Sequence, residues 1–201
     1  MFAVKAVRSV AAVALAASTL LLSACTSNDN LANQFRSGDN KEYIAGDGTV
    51  TEFQNPASRL TSKPWTGVTE SGGVISNTDL VGQVVVLNFW YAGCAPCRAE
   101  VPALQKISDD FASQGVEVLG VNVRDTAQTA LAFDRRFELK YPSVMDASNG
   151  NVVLAFTGIV TPSAVPTTLV LDRHGRVSAR ILGRFDPSIL RALIKTAVSE
   201  K

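Results

Sequence analysis

The chain has 201 residues, a single histidine (His174), three cysteines, and aromatic side chains at only 7% of positions. One histidine cannot build a histidine-rich metal site, and three cysteines cannot staple a small disulfide scaffold. A field of one sign is also missing. Nineteen Lys+Arg stand against eighteen Asp+Glu, a formal charge of +1, so nothing in the charge balance marks a nucleic-acid binder. No apolar run reaches the roughly 20 residues that a helical membrane span needs. There is no internal repeat, heptad or glycine period, which excludes coiled-coil and collagen-like chains, and 46% hydrophobic content excludes a wholly disordered one. What remains is a chain sized for one globular core with a small appendage.

The appendage is N-terminal. Lys5 and Arg8 precede an apolar run from Val10 to Leu22, the pattern of a signal-peptide core. The run closes on Leu22-Ser23-Ala24-Cys25, which resembles a bacterial lipobox. That resemblance implies a diacylglycerol on the Cys25 thiol and cleavage before it. An ordinary cleaved signal with an incidental Cys25, or a short uncleaved anchor, are the competing readings. On the lipoprotein reading, residues 1–24 are the signal peptide and residues 25–41, rich in Ser, Asn and Asp, are a flexible tether. Losing Lys5 and Arg8 leaves one more acidic than basic side chain. The acyl chains, not attraction to anionic lipid, must then hold the protein to the membrane.

Residues 42–201 carry the folded domain. Short apolar pieces between Glu42 and Leu80 (Tyr43-Ile44, Val50–Phe53, Gly73–Ser76) predict small strands or a hairpin. Val84–Trp90 is a continuous β-branched and apolar run, as in a strand buried on both faces. Val101, Leu104, Ile107 and Phe111 recur at helical spacing over about Ala95–Ala112, and Val116–Val123 predicts a second buried strand. Asp125 or Thr126 can cap a helix to about Phe137, whose Phe133 and Phe137 read as core. After Tyr141-Pro142 comes an irregular stretch, then a short helix over Val152–Phe156. A hairpin follows, with strands Leu169–Asp172 and Val177–Leu182 turning at Arg173-His174-Gly175. Asp186-Pro187 opens a terminal helix to about Val198. Parallel pairs joined by helices, then an antiparallel hairpin, predict an α/β fold with a mixed central sheet flanked by helices.

Cys94-Ala95-Pro96-Cys97 falls between the first buried strand and the first helix. The helix N-terminus offers unpaired amides and a dipole that favour a thiolate. Cys94 is therefore expected to be the exposed nucleophile, and Cys97, one turn inward, the resolving thiol. Half a zinc site is the first alternative, but no second cysteine pair exists. A structural disulfide is the second, and so short a loop would stabilise little.

The stretch Phe89–Pro102, which includes Phe89-Trp90, Cys94-Ala95-Pro96-Cys97 and Glu100-Val101-Pro102, resembles the active-site segment of TlpA/ResA-type thioredoxin-like proteins. The resemblance runs from about Asn77 to Ile194 and takes in Val118–Val123, Tyr141-Pro142 and Val165-Pro166-Thr167-Thr168. It implies a thioredoxin-like fold with an N-terminal strand extension and a central insertion between Val123 and Pro166. It also implies a membrane-tethered, extracytoplasmic thiol–disulfide oxidoreductase whose redox centre is the Cys94–Cys97 disulfide, with no further cofactor and no metal. On the same resemblance Pro166 is a cis-proline that, with Val165 and Thr167, holds extended substrate backbone. Glu100 matches an acidic residue that shuttles protons or shifts thiol pKa values if buried; a solvated helix glutamate is the alternative. Asn88 stands where ordinary thioredoxins have a buried aspartate. The chain departs from the family at Gly93, where tryptophan is common.

The implied task is a reductase of apocytochrome c haem-binding thiols, recharged by a DsbD/CcdA-type membrane electron donor. The opposite direction, an oxidant for secreted proteins, is the runner-up, because sequence does not set the balance of thiolate and disulfide. A thiol peroxidase would need a Thr/Pro/Arg pocket around its cysteine, and no such cluster precedes Cys94. A copper-delivery protein of the Sco type would need three residues between its cysteines and a ligand histidine.

Overall fold

The computed structural model describes residues 47–161 and 164–200. The expected signal peptide, Cys25, the tether and the Tyr43-Ile44 piece lie outside the described residues. In chain order the strands are β1 (Asp47–Glu52), β2 (Thr66–Val68), β3 (Val74–Ser76), β4 (Val84–Trp90), β5 (Val116–Asn122), β6 (Ser143–Met145), β7 (Thr167–Leu171) and β8 (Val177–Gly183). The helices are α1 (Ala95–Phe111), α2 (Ala127–Phe137), α3 (Asn151–Ala155) and α4 (Pro187–Ser199).

The residues of β4 are all buried, as its unbroken apolar run predicts. It is a central strand of a six-stranded sheet of order β1-β8-β7-β4-β5-β6. The β4–β5 and β5–β6 pairs are parallel, whereas β7 is antiparallel to both β4 and β8, and β1 is antiparallel to β8. Two apolar clusters cover the two faces. One joins Val84, Val86, Val118 and Ile181 of the sheet to Leu104 and Ile107 of α1 and Leu190 and Ile194 of α4. The other joins Leu87, Phe89, Leu119 and Leu169 to Phe133 of α2 and Val152 of α3.

One expectation is corrected by the structure, and a choice between two candidate caps is resolved. The stretch after Tyr141-Pro142 is not wholly irregular: β6 pairs with β5, and Gly120 N–H donates to Pro142 O at 2.9 Å. Three residues are too few to show alternation in a sequence. Asp125 does not cap α2. Thr126 does, its side chain accepting from Thr129 N–H, and Asp125 is used elsewhere. Helix α4 begins as expected, with Asp186 Oδ1 accepting from the N–H groups of Ser188 and Ile189 and Pro187 in the first turn.

The N-terminal extension is stitched along β8. Phe53 N–H donates to Ser178 O, and Val177 N–H to Leu60 O. Arg59 is buried there, donating to Asp172 Oδ2 at 3.0 Å and to Glu200 Oε1 at 2.7 Å. Asp172 in turn accepts from the N–H groups of His174 and Arg176, which fixes the β7–β8 turn. His174 is thus a turn residue.

Candidate active site

Beyond Trp90 the chain leaves the sheet, and Cys94 N–H closes a turn onto Tyr91 O at 3.1 Å. Asn122 and Asp125, at the end of β5, hold this turn. Asp125 Oδ2 accepts from Ala92 N–H at 2.6 Å and from Asn122 Nδ2 at 2.8 Å, while Asn122 Oδ1 accepts from Asp125 N–H at 2.8 Å. Sequence reasoning missed this pair; its signal was two polar Asx residues three apart at the mouth of an apolar strand.

Cys94 and Cys97 are joined in a disulfide, with Cα atoms 5.3 Å apart. Cys94 is the N-cap of α1, and its Sγ accepts from Cys97 N–H at 3.2 Å. The helix terminus therefore presents a backbone donor to this sulfur, as the motif predicts. The expected exposure of Cys94 is corrected: its exposure is 0%, against 3% for Cys97. In the disulfide Cys94 belongs to the buried cluster that holds Tyr91, Phe156, Val160 and Val165. Gly93 is exposed beside it. A Cβ there would come within 3.1 Å of the Tyr91 ring, which itself stacks 4.5 Å from the Arg124 guanidinium. Trp90 is core, packed on Phe133 with centroids 4.6 Å apart and donating to Ser143 Oγ. Arg98 is exposed.

Glu100 is 2% exposed, which settles the two sequence alternatives in favour of burial. Residues 97, 100, 104, 107 and 111 form one buried stripe of α1, and Glu100 lies in phase with it. Its Oε1 accepts from Phe185 N–H at 2.7 Å, and its Oε2 from Asn88 Nδ2 at 3.4 Å. Burial pushes its carboxyl up to about 8, although both hydrogen bonds and the Arg184 charge pull the other way. Asn88 is paired in register with Thr168 across β7 and donates to its Oγ1 at 3.1 Å. Neither Thr168 nor Phe185 was singled out from sequence. One reads as a β-branched strand residue and the other contributes only a backbone N–H.

The Val165–Pro166 peptide is cis. Because Thr167 lies opposite Phe89 in the β4–β7 register, this peptide sits at the same end of the sheet as the cysteines. Val165, Pro166 and Thr167 are all buried. The Thr167 hydroxyl is committed to Ala164 O at 2.6 Å, and Pro166 O accepts from Gly183 N–H at 2.8 Å.

The family model described as AhpC/TSA matches residues 53–180, more than half of the chain. The chain belongs to the AhpC/TSA family. Its architecture is a thioredoxin-like α/β fold, as the TlpA/ResA resemblance implies. Proteins named thiol-disulfide oxidoreductase ResA are similar to it: that of Halalkalibacterium halodurans is 36% identical over 53% of this chain and 57% of its own. That of Geobacillus thermodenitrificans is 37% identical over 53% of this chain and 58% of its own. The chain thus spans a little under three fifths of the length of these relatives. Among solved structures, a secreted thiol-disulfide isomerase from Corynebacterium glutamicum is 30% identical, with a TM-score of 0.67 over 79% of this chain and 97% of that one. A DsbF homologue from Corynebacterium diphtheriae is 28% identical, with a TM-score of 0.65 over 77% and 96%. Among the described residues no helix is long and apolar enough to cross a membrane.

Proposed function

We propose that this family member is an extracytoplasmic thiol–disulfide oxidoreductase that works as a reductase, tethered to the membrane by lipid on Cys25. The observation that carries the chemistry is a disulfide at a helix N-terminus whose first sulfur accepts a backbone N–H, Cys97 N to Cys94 Sγ. In the reduced protein the same donor and the helix dipole stabilise a Cys94 thiolate. That thiolate attacks one sulfur of a substrate disulfide; a Cys94–substrate disulfide forms and the second substrate sulfur leaves as thiolate. The Cys97 thiolate then attacks Cys94 Sγ, releases the first substrate sulfur and closes the Cys94–Cys97 bond. The substrate gains two electrons and the protein loses them; a dithiol donor returns them by the reverse exchange. Glu100, one turn beyond Cys97, carries a proton at neutral pH. It supplies that proton to the Cys97 thiolate when the disulfide is opened and takes it back when the disulfide reforms.

The names of the relatives support the exchange chemistry, and the ResA likeness supports the reducing direction. On this reading the clients are haem-binding thiols of apocytochrome c and the donor is a DsbD/CcdA-type membrane protein. Equilibration against a dithiol couple tests the direction. We expect a reduction potential at or below about −230 mV, in the range of thioredoxin and glutaredoxins, whereas a value near about −120 mV would make the protein an oxidant. Cys94→Ser is expected to abolish disulfide reduction; full insulin reduction by that variant would overturn the role of Cys94.

A further inference from the structure

Asn88 is a buried amide, a group that can donate through Nδ2 and accept through Oδ1. It is 5% exposed, Thr168 is 0% and Glu100 is 2%. No water is needed to connect them, because Asn88 Nδ2 reaches both Glu100 Oε2 and Thr168 Oγ1. The two Glu100 oxygens are held differently. Oε1 receives a backbone N–H at 2.7 Å, which can only donate. Oε2 faces the amide at 3.4 Å, longer than the roughly 2.7–2.9 Å of a charge-assisted bond. Oε2 is therefore the oxygen that can carry a proton. A protonated Oε2 must donate, and the group in reach that can turn from donor to acceptor is the Asn88 amide.

The geometry points to Asn88 and Thr168 as a reversible positioning relay, in which the Asn88 amide rotates by half a turn as Glu100 gains or loses its proton. With Glu100 ionised, Asn88 Nδ2 donates one hydrogen to Glu100 Oε2 and the other to Thr168 Oγ1. With Glu100 protonated, Asn88 Oδ1 accepts from both Glu100 and the Thr168 hydroxyl. The hydroxyl suits both states because it donates and accepts. In each state Glu100 Oε2 meets a partner of the matching kind, a donor when it is ionised and an acceptor when it is protonated. The relay thus keeps the Glu100 proton exchangeable inside a closed core.

Other groups bear on the same carboxyl. Arg184, beside Phe185, favours the ionised form, and Cys97 lies one turn before it on α1. Tyr141, packed in the same core, is itself pushed up by burial and by the charges of Asp134 and Glu100, so it stays neutral. The side-chain group hydrogen-bonded to Glu100 Oε2 is the Asn88 amide.

The inference uses the oxidoreductase reading only for its consequence in thiol chemistry, so the primary test is spectroscopic. In the oxidised wild-type protein, the Glu100 side-chain carbon and the Asn88 side-chain amide are followed by NMR across pH. We expect the Asn88 amide signals to move with the same midpoint as Glu100, and to stop moving in Glu100→Gln. Asn88→Leu, which removes the donor, should raise the proton affinity of Glu100 at least tenfold and shift the pH profile of Cys97 alkylation in parallel. Thr168→Ser should keep the wild-type midpoint. Asn88 signals that stay fixed while Glu100 titrates would overturn the relay, as would an unchanged Glu100 midpoint in Asn88→Leu. Intact coupling in a protein that reduces no disulfide would sink the functional reading and leave the relay standing.

Discussion

Glu100 shows how one residue links stability to chemistry. Its folded carboxyl is pushed up to about 8 by burial, well above the value of an exposed glutamate. The folded state therefore holds the proton more tightly than the unfolded state. It follows that Glu100 costs the fold nothing at low pH and progressively destabilises it as pH rises from about 4.5 toward 8, after which the loss levels off. The total is on the order of a few kcal/mol. Glu100→Gln retains an acceptor for Phe185 N–H and cannot ionise. Its advantage in urea unfolding over the wild type should widen between pH 5 and pH 8; a constant gap would contradict the burial account. The helical phase of residue 100 was legible in the sequence, since it matches Cys97, Leu104 and Ile107. What it meets was not legible, because Phe185 lies 85 positions away and offers only its backbone.

At the scale of elements, close approach and charge pairing decide which strands meet. A Cβ at Gly120 would overlap Ser143 Oγ, sit 3.0 Å from Ser143 Cβ and press on Trp90 Nε1 at 2.8 Å. Gly120→Ala should therefore loosen β6 from β5 and destabilise the protein by about 1–3 kcal/mol, read as a lower urea midpoint. An unchanged midpoint would show that Ser143 can yield. At the opposite edge Asp172 ties Arg59 to the β7–β8 turn. Burial alone would raise its carboxyl, but the Arg176 N–H, the Arg59 guanidinium and their neighbours outweigh it and hold it below the usual carboxylate range. This stabilisation is present at neutral pH and is lost as pH falls through that lowered value. Asp172→Ala leaves the Arg59 charge buried beside Glu200 alone, and about 3–5 kcal/mol of stability should go with it. The strands, caps and helices of this scale were mostly readable, because periodicity and capping are local. The β6 pairing and the Arg59 cluster were not, because both join segments distant in the chain.

For the whole molecule, the proposed lipid on Cys25 would decide where the Cys94–Cys97 pair works. If lipid on Cys25 is the anchor, Cys25→Ser should move the protein from the membrane fraction to the soluble fraction. The Cys94–Cys97 potential should stay the same, because the two features occupy different segments. A variant that remains membrane-bound would point to an uncleaved apolar segment instead.

The sequence by itself determined the order of the main strands and helices, the cysteine pair at the strand-to-helix junction and the α/β class. Each of these is written in spacing, capping or composition within a few residues. Tertiary structure alone decided that the Cys94 sulfur is closed off in the disulfide, that Glu100 is buried against Asn88 and Phe185, and that Asp125 holds the active-site turn. Burial and hydrogen-bond partnership depend on which distant segments the sheet register brings together, and no local pattern encodes that.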